Sequence, residues 1–184
     1  MVRIRARGES GDELDVKLYG RDAWDGQLIV SLWRFVWYRD AGPTLALTRL
    51  QQVEHEAFLT LLAERRGAPV HSVVAAGADQ IGDALLVIRR TGQPLDEVTT
   101  PLDDSLCDHM WQMLATLHAA RITHGAIDSE RLFVDGGAVS LADLSAGEIE
   151  SSSTAFLTHR AQLLAPTPIR FRTERAVAGP LTAP

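Results

Sequence analysis

The chain has 184 residues, 24 acidic and 18 basic, for a net charge of −6, and its 46% apolar content can bury a core, which excludes wholesale disorder. The acidic balance excludes a general nucleic-acid binder, and the lone Cys107 excludes an internal disulfide or a cysteine-cluster zinc site. No apolar run approaches the ~20 residues of a membrane span, and the N-terminus lacks the apolar stretch of a signal peptide, so the expectation is a cytoplasmic, reduced chain.

Residues 2–7 (VRIRAR) alternate apolar and charged, and after a Gly8–Gly11 turn residues 14–19 (LDVKLY) alternate again, which predicts a β-hairpin. Leu14, Val16 and Leu18 share one face of the second strand; Asp15, Lys17 and Tyr19 share the other. Of the 18 basic residues 17 are arginine, and Lys17 is the one lysine. Residues 22–39, which hold Trp24, Trp33 and Trp37, read as a helix that is apolar nearly all round, a candidate surface for a protein or membrane partner. A second helix is predicted from Leu50 to Arg66, with Val53, Phe58, Leu59, Leu61 and Leu62 on its apolar side, closed by Gly67 and Pro69. Strands follow at 70–76 and 84–89, then a polar loop. A long helix runs from Asp103–Asp104 to about Ala120, with Leu106, Met110, Met113, Leu114 and Leu117 inward and Cys107 as a small core residue. A second hairpin spans 132–142 with Asp135–Gly136 as its turn signal, a helix covers 153–164, and an irregular tail with three arginines closes the chain at 166–184. Strands at the front and helices at the back predict an α+β fold.

The stretch LHAARITHGAIDSERLFVDGGAVSLADLSAG, Leu117 to Gly147, resembles the catalytic segment of the protein-kinase-like superfamily. A long helix ends in Leu117–His118, His124–Gly125 opens a catalytic-type loop, a short hairpin follows, and Asp143 stands where that superfamily places its metal-binding aspartate. Upstream, Lys17 resembles the phosphate-facing strand lysine, Glu56 its helical partner with Glu54 as the alternative, and LLVIRR the strand that leads to the hinge. The resemblance covers residues 2–165 and implies a partial β-rich N-lobe at 1–90 carrying the Trp-rich helix as an insertion, and a truncated helical C-lobe at 91–165. The strings DVKLYGRDAWD and RLQQVEHEAFLTLLAERRG look like the kinase-like regions at the N-termini of actinobacterial membrane proteins of the flippase or lysylphosphatidylglycerol-synthase type.

The resemblance implies ATP and Mg²⁺ as cofactors, with Lys17 and Glu56 at the phosphates and Asp143 at the metal. The departures point the other way. Ala126 stands at the catalytic aspartate position and can take no proton; Arg131 stands where an asparagine would hold a second metal; Leu144–Ser145 replace Phe–Gly after Asp143. Lys17 and Glu56 are 39 residues apart against the usual ~20, and no glycine-rich phosphate loop precedes the hairpin. The chain therefore reads as cut at both ends. His124 reads as a structural histidine of the loop, and Asp128 either as a loop cap or as a substitute base.

The expectation is a regulatory or scaffolding pseudokinase with weak or no nucleotide binding and an unidentified protein or membrane-protein partner. Three alternatives stay open. One is an ATP-dependent small-molecule or protein kinase that uses Asp128 as its base. Another is an interaction module built on the Trp-rich helix, and the third is a truncated gene product.

Overall fold

The structure, a computed structural model, describes residues 1–8, 11–20, 48–78, 83–99, 104–149 and 153–164. The expected Trp-rich helix at 22–39 and the tail at 166–184 lie outside them. The elements run β1 (Val2–Arg7), β2 (Glu13–Tyr19), α1 (Arg49–Arg65), β3 (Ser72–Ala78), β4 (Ala84–Arg90), β5 (Gln93–Pro94), α2 (Asp104–Ala119), β6 (Ile122–Thr123), β7 (Leu132–Asp135), β8 (Ala138–Leu141), a 3₁₀ turn (Leu144–Ala146), β9 (Glu148–Ile149) and α3 (Ser153–Leu164). Among the described residues the longer elements follow the predicted α+β order with bounds within two residues of those expected, and the short β5, β6, β9 and 3₁₀ turn have no counterpart in that expectation. Among the described residues no helix is long and apolar enough to cross a membrane.

The chain divides into two compact units. The first joins Met1–Ala57 to Val73–Arg90; the second joins Phe58–Ser72 to Thr91–Pro184, so residues 58–72 go with the later part of the chain.

In the first unit four strands pair in the order β1-β2-β4-β3. The β1–β2 hairpin is antiparallel with Val2 opposite Leu18 and Arg3 opposite Lys17; on its other side Lys17 lies opposite Leu86 of β4. The alternation in β2 gives two faces, and the polar one is the buried one. Asp15, Lys17 and Tyr19 are each 5% exposed or less, while Leu14, Val16 and Leu18 are only half-buried. The reason is what packs there: Val53 and Ala57 of α1 form a core with Tyr19, Ala84, Leu86 and Ile88 on that face of the sheet. Asp15 is held by Arg3 across the hairpin, so its charge is not left alone in the core.

Local chemistry sets both ends of α1. The Thr48 hydroxyl accepts from the Gln51 N–H at 3.1 Å and the Gln51 side chain accepts from the Thr48 N–H at 3.0 Å, a reciprocal capping box. At the far end Gly67 adopts φ +80° and the Ala68 N–H reaches the Ala63 carbonyl at 3.0 Å, the Schellman closure that the Gly67–Pro69 signal predicts. The buried stripe differs from the expected one. It is Val53, Glu56, Ala57, Leu59, Thr60 and Ala63, whereas Phe58 is 54% and Leu61 44% exposed. Spacing of three and four residues puts Val53, Glu56, Ala57 and Thr60 on one face, and a fixed partner lets a carboxylate displace the larger apolar residues from it.

The second unit has a core of its own. Leu106, Met110, Met113, Leu114 and Leu117 of α2 pack with Leu59, Leu95, Ile122, Leu132, Leu141 and Leu163, and Cys107 is fully buried among them. Strands β5-β7-β8 form a small antiparallel sheet in which Leu132 faces Leu141 and Asp135 faces Ala138 across a Gly136–Gly137 turn. The strand pair β6–β9 brackets the loop between them.

Candidate functional site

The first unit buries an ion pair. Lys17 Nζ lies 2.6 Å from Glu56 Oε1, with the two side chains 1% and 0% exposed, and the Tyr19 hydroxyl stands 3.4 Å from the other carboxylate oxygen. Glu54, the sequence alternative, is exposed. Strand register presents Lys17 to α1, and helix register presents Glu56 to the sheet, across 39 residues of chain. In water such a pair is nearly worthless; in the core each charge depends on the other.

The second unit builds a loop from Ile122 to Ala146. His124 is fully buried, and its Nε2–H donates to the Ala142 carbonyl at 2.7 Å while its Nδ1 faces the Ala126 N–H at 3.4 Å. Burial pushes its pKa down, so the ring is neutral, as those two roles require. The loop is therefore tied through a histidine to the strand end that precedes Asp143. Gly125 completes the tie: at φ +81° an added Cβ would stand 2.1 Å from the Ala146 carbonyl oxygen. Gly125→Ala is accordingly expected to cost about 2 kcal/mol or more, from the left-handed backbone and the overpacking together, read as a lower melting temperature.

From α3, His159 Nε2 accepts from both the His124 N–H at 2.8 Å and the Gly125 N–H at 2.9 Å. Its Nδ1 lies 3.4 Å from His118 Nε2 at the end of α2. One turn further on, the Gln162 side chain accepts from the Ile127 N–H and donates to the Gly125 carbonyl, each at 3.2 Å. Burial, then His118 and His124, lowers the His159 pKa to about 4; burial and then Arg160 lower His118 to about 4. His159 and Gln162 had no sequence signal: a His and a Gln three apart on a helix mark nothing until a loop with unsatisfied amides is laid beside them.

The residues at the chemical positions of the loop are mutually engaged. Ala126 offers only a methyl group. Asp128 Oδ1 accepts from the Glu130 and Arg131 N–H groups at 3.1 and 3.0 Å, and its Oδ2 pairs with the Arg131 guanidinium. Arg131 Nε then lies 3.7 Å from Asp143 Oδ2. Asp143 adopts the left-handed conformation, φ 66° and ψ 66°, and its Oδ1 accepts from the Ser145 hydroxyl at 2.6 Å. Mg²⁺ fits this set poorly. It requires six oxygens in near-octahedral order, and both oxygens of Asp128 and of Asp143 are already engaged, one on each carboxylate by a cation. Like charges ~4 Å apart repel by about 4 kcal/mol per unit charge at an effective dielectric of about 20. Among the described residues no group of three or more His, Cys, Asp or Glu side chains could hold a metal.

The fold is thus α+β, and its element order, its buried strand-lysine to helix-glutamate pair and its histidine-centred loop are arrangements that the resemblance to the protein-kinase-like superfamily implies. No family model matches the chain. A probable bifunctional tRNA threonylcarbamoyladenosine biosynthesis protein of Methanothermobacter thermautotrophicus is 27% identical over 107 residues, 56% of this chain and 20% of that protein. The solved structure of the Cydia pomonella granulovirus kinase PK-1 is similar with a TM-score of 0.49 and 14% identity, over 75% of this chain and 44% of the viral one. The chain spans about a fifth of the length of the first protein and less than half of the second.

Proposed function

We propose that this chain is a kinase-like module that does not transfer phosphate and acts as a regulatory or scaffolding domain, with weak or no binding of nucleotide. The observation that carries this reading is the base position. Ala126 cannot take the proton of an attacking hydroxyl, and the carboxylate two residues on, Asp128, is committed to two backbone amides and to Arg131. Lys17, held by Glu56 in the first unit, is the residue that would meet nucleotide phosphates as a point charge. Its burial supports a structural use of the same pair.

The test is phosphotransfer by the full chain, with labelled ATP, Mg²⁺ and a panel of hydroxyl substrates, alongside melting curves at millimolar ATP. The expected results are no transfer above background and little or no rise in melting temperature, since a ligand that binds only the native state must raise it. Turnover that disappears in Asp143→Ala overturns the reading. Turnover that falls ~10²-fold in Asp128→Ala replaces it with an active kinase whose base is Asp128, that being the usual worth of a general base.

A further inference from the structure

We infer that Arg131 is the resident cation of the Asp128–Asp143 cluster, and that this cluster excludes divalent metal ions rather than binding them. Three observations converge on Arg131. Its backbone is fixed at both sides, its N–H on Asp128 Oδ1 at 3.0 Å and its carbonyl accepting from the Ala142 N–H at 2.9 Å, next to Asp143. Its guanidinium is shared between the two carboxylates, on Asp128 Oδ2 and 3.7 Å from Asp143 Oδ2. The remaining Asp143 oxygen accepts from Ser145, a donor that a hard cation would have to displace.

A guanidinium tethered in this way acts on the carboxylates as a metal ion would, with two differences. It cannot be removed by a chelator, and to the oxygens of a phosphate chain it offers N–H donors rather than an open coordination position. The cluster is therefore charge-balanced to within one unit without any ion from solution. Any nucleotide this chain binds is therefore bound without a metal ion held by Asp128 or Asp143. This goes beyond the absence of phosphotransfer, which rests on Ala126, and the two can fail separately.

The test uses Mn²⁺ alone as the probe, followed by electron paramagnetic resonance of the free ion during titration of the full chain. Wild type is expected to show no saturable binding up to millimolar Mn²⁺. Arg131→Asn, which removes the cation and supplies an amide oxygen, is expected to bind at least tenfold more tightly, and Arg131→Lys, which keeps the charge, to remain excluded. Saturable binding by wild type that is lost in Asp143→Asn overturns the inference. So does an Arg131→Asn variant that is folded by circular dichroism and takes up no Mn²⁺, because the exclusion then has another source. Should Arg131→Asn fail to fold, Arg131→Gln takes its place with the same two outcomes.

Discussion

Glu56→Ala is expected to destabilise the chain by about 3–5 kcal/mol, the usual cost of removing one partner from a buried ion pair. For a chain of this size that lowers the melting temperature by about 10 °C. The physical cause is the lysine left behind. Lys17 is 1% exposed, so without the Glu56 carboxylate its ammonium sits in the core between α1 and the sheet without its ion-pair partner, or draws water in. Glu56→Gln, which keeps an acceptor but not the charge, is expected to fall between wild type and Glu56→Ala. The double variant Lys17→Met, Glu56→Leu is expected to recover most of the loss, because two apolar side chains of similar volume remove both desolvation costs at once. Melting followed by circular dichroism separates these outcomes. A Glu56→Ala protein within 1 kcal/mol of wild type would show that the pair does not hold α1 to the sheet.

His159→Ala carries the second large effect. It leaves the His124 and Gly125 amides without their acceptor. His124 is buried whereas Gly125 is exposed, so the full penalty falls on one amide and the expected loss is about 1–3 kcal/mol. His159→Asp, which supplies a carboxylate oxygen to the same amides, is expected to restore part of it.

The same residue makes stability depend on pH. His159 and His118 are held at about 4 in the folded chain, below the ordinary 6.5. Between pH 6.5 and about 4 the unfolded chain therefore binds more protons than the folded one. The stabilisation is complete above 6.5 and is lost as pH falls toward 4. His118 is only half-buried, so its share of the loss is smaller than its shift alone would give. His159→Gln does not titrate and should lose stability less steeply over that window. Equal slopes in the two proteins would remove His159 from the pH response.

The lone lysine shows how far the residues could be read unaided. Among 17 arginines, a single lysine on a strand of alternating residues drew attention to a compact point charge in a fixed register. The hairpins, the helix bounds and the Gly67–Pro69 stop were equally legible, because turn residues, caps and periodicity act within a few residues of one another. Ala126 and Arg131 were legible as departures, since a methyl group and a fixed cation cannot do a carboxylate's or an amide's work wherever they lie.

What the alternation in β2 could not say was which face is buried. Leu14, Val16 and Leu18 look like the core side, yet Asp15, Lys17 and Tyr19 are the ones covered, because α1 arrives on that side with Glu56 as its partner. The same contact turned Phe58 and Leu61 outward. Nor could spacing choose between Glu54 and Glu56, or find His159, which meets the loop 35 residues from His124. The sequence by itself determined the longer elements, their order and the residue types along the loop, all of which depend on local chemistry or on residue type. Only the tertiary structure decided which charges are buried, which are paired and which hold the backbone, because a charge in water is nearly indifferent to its neighbours and a charge out of water is governed by them.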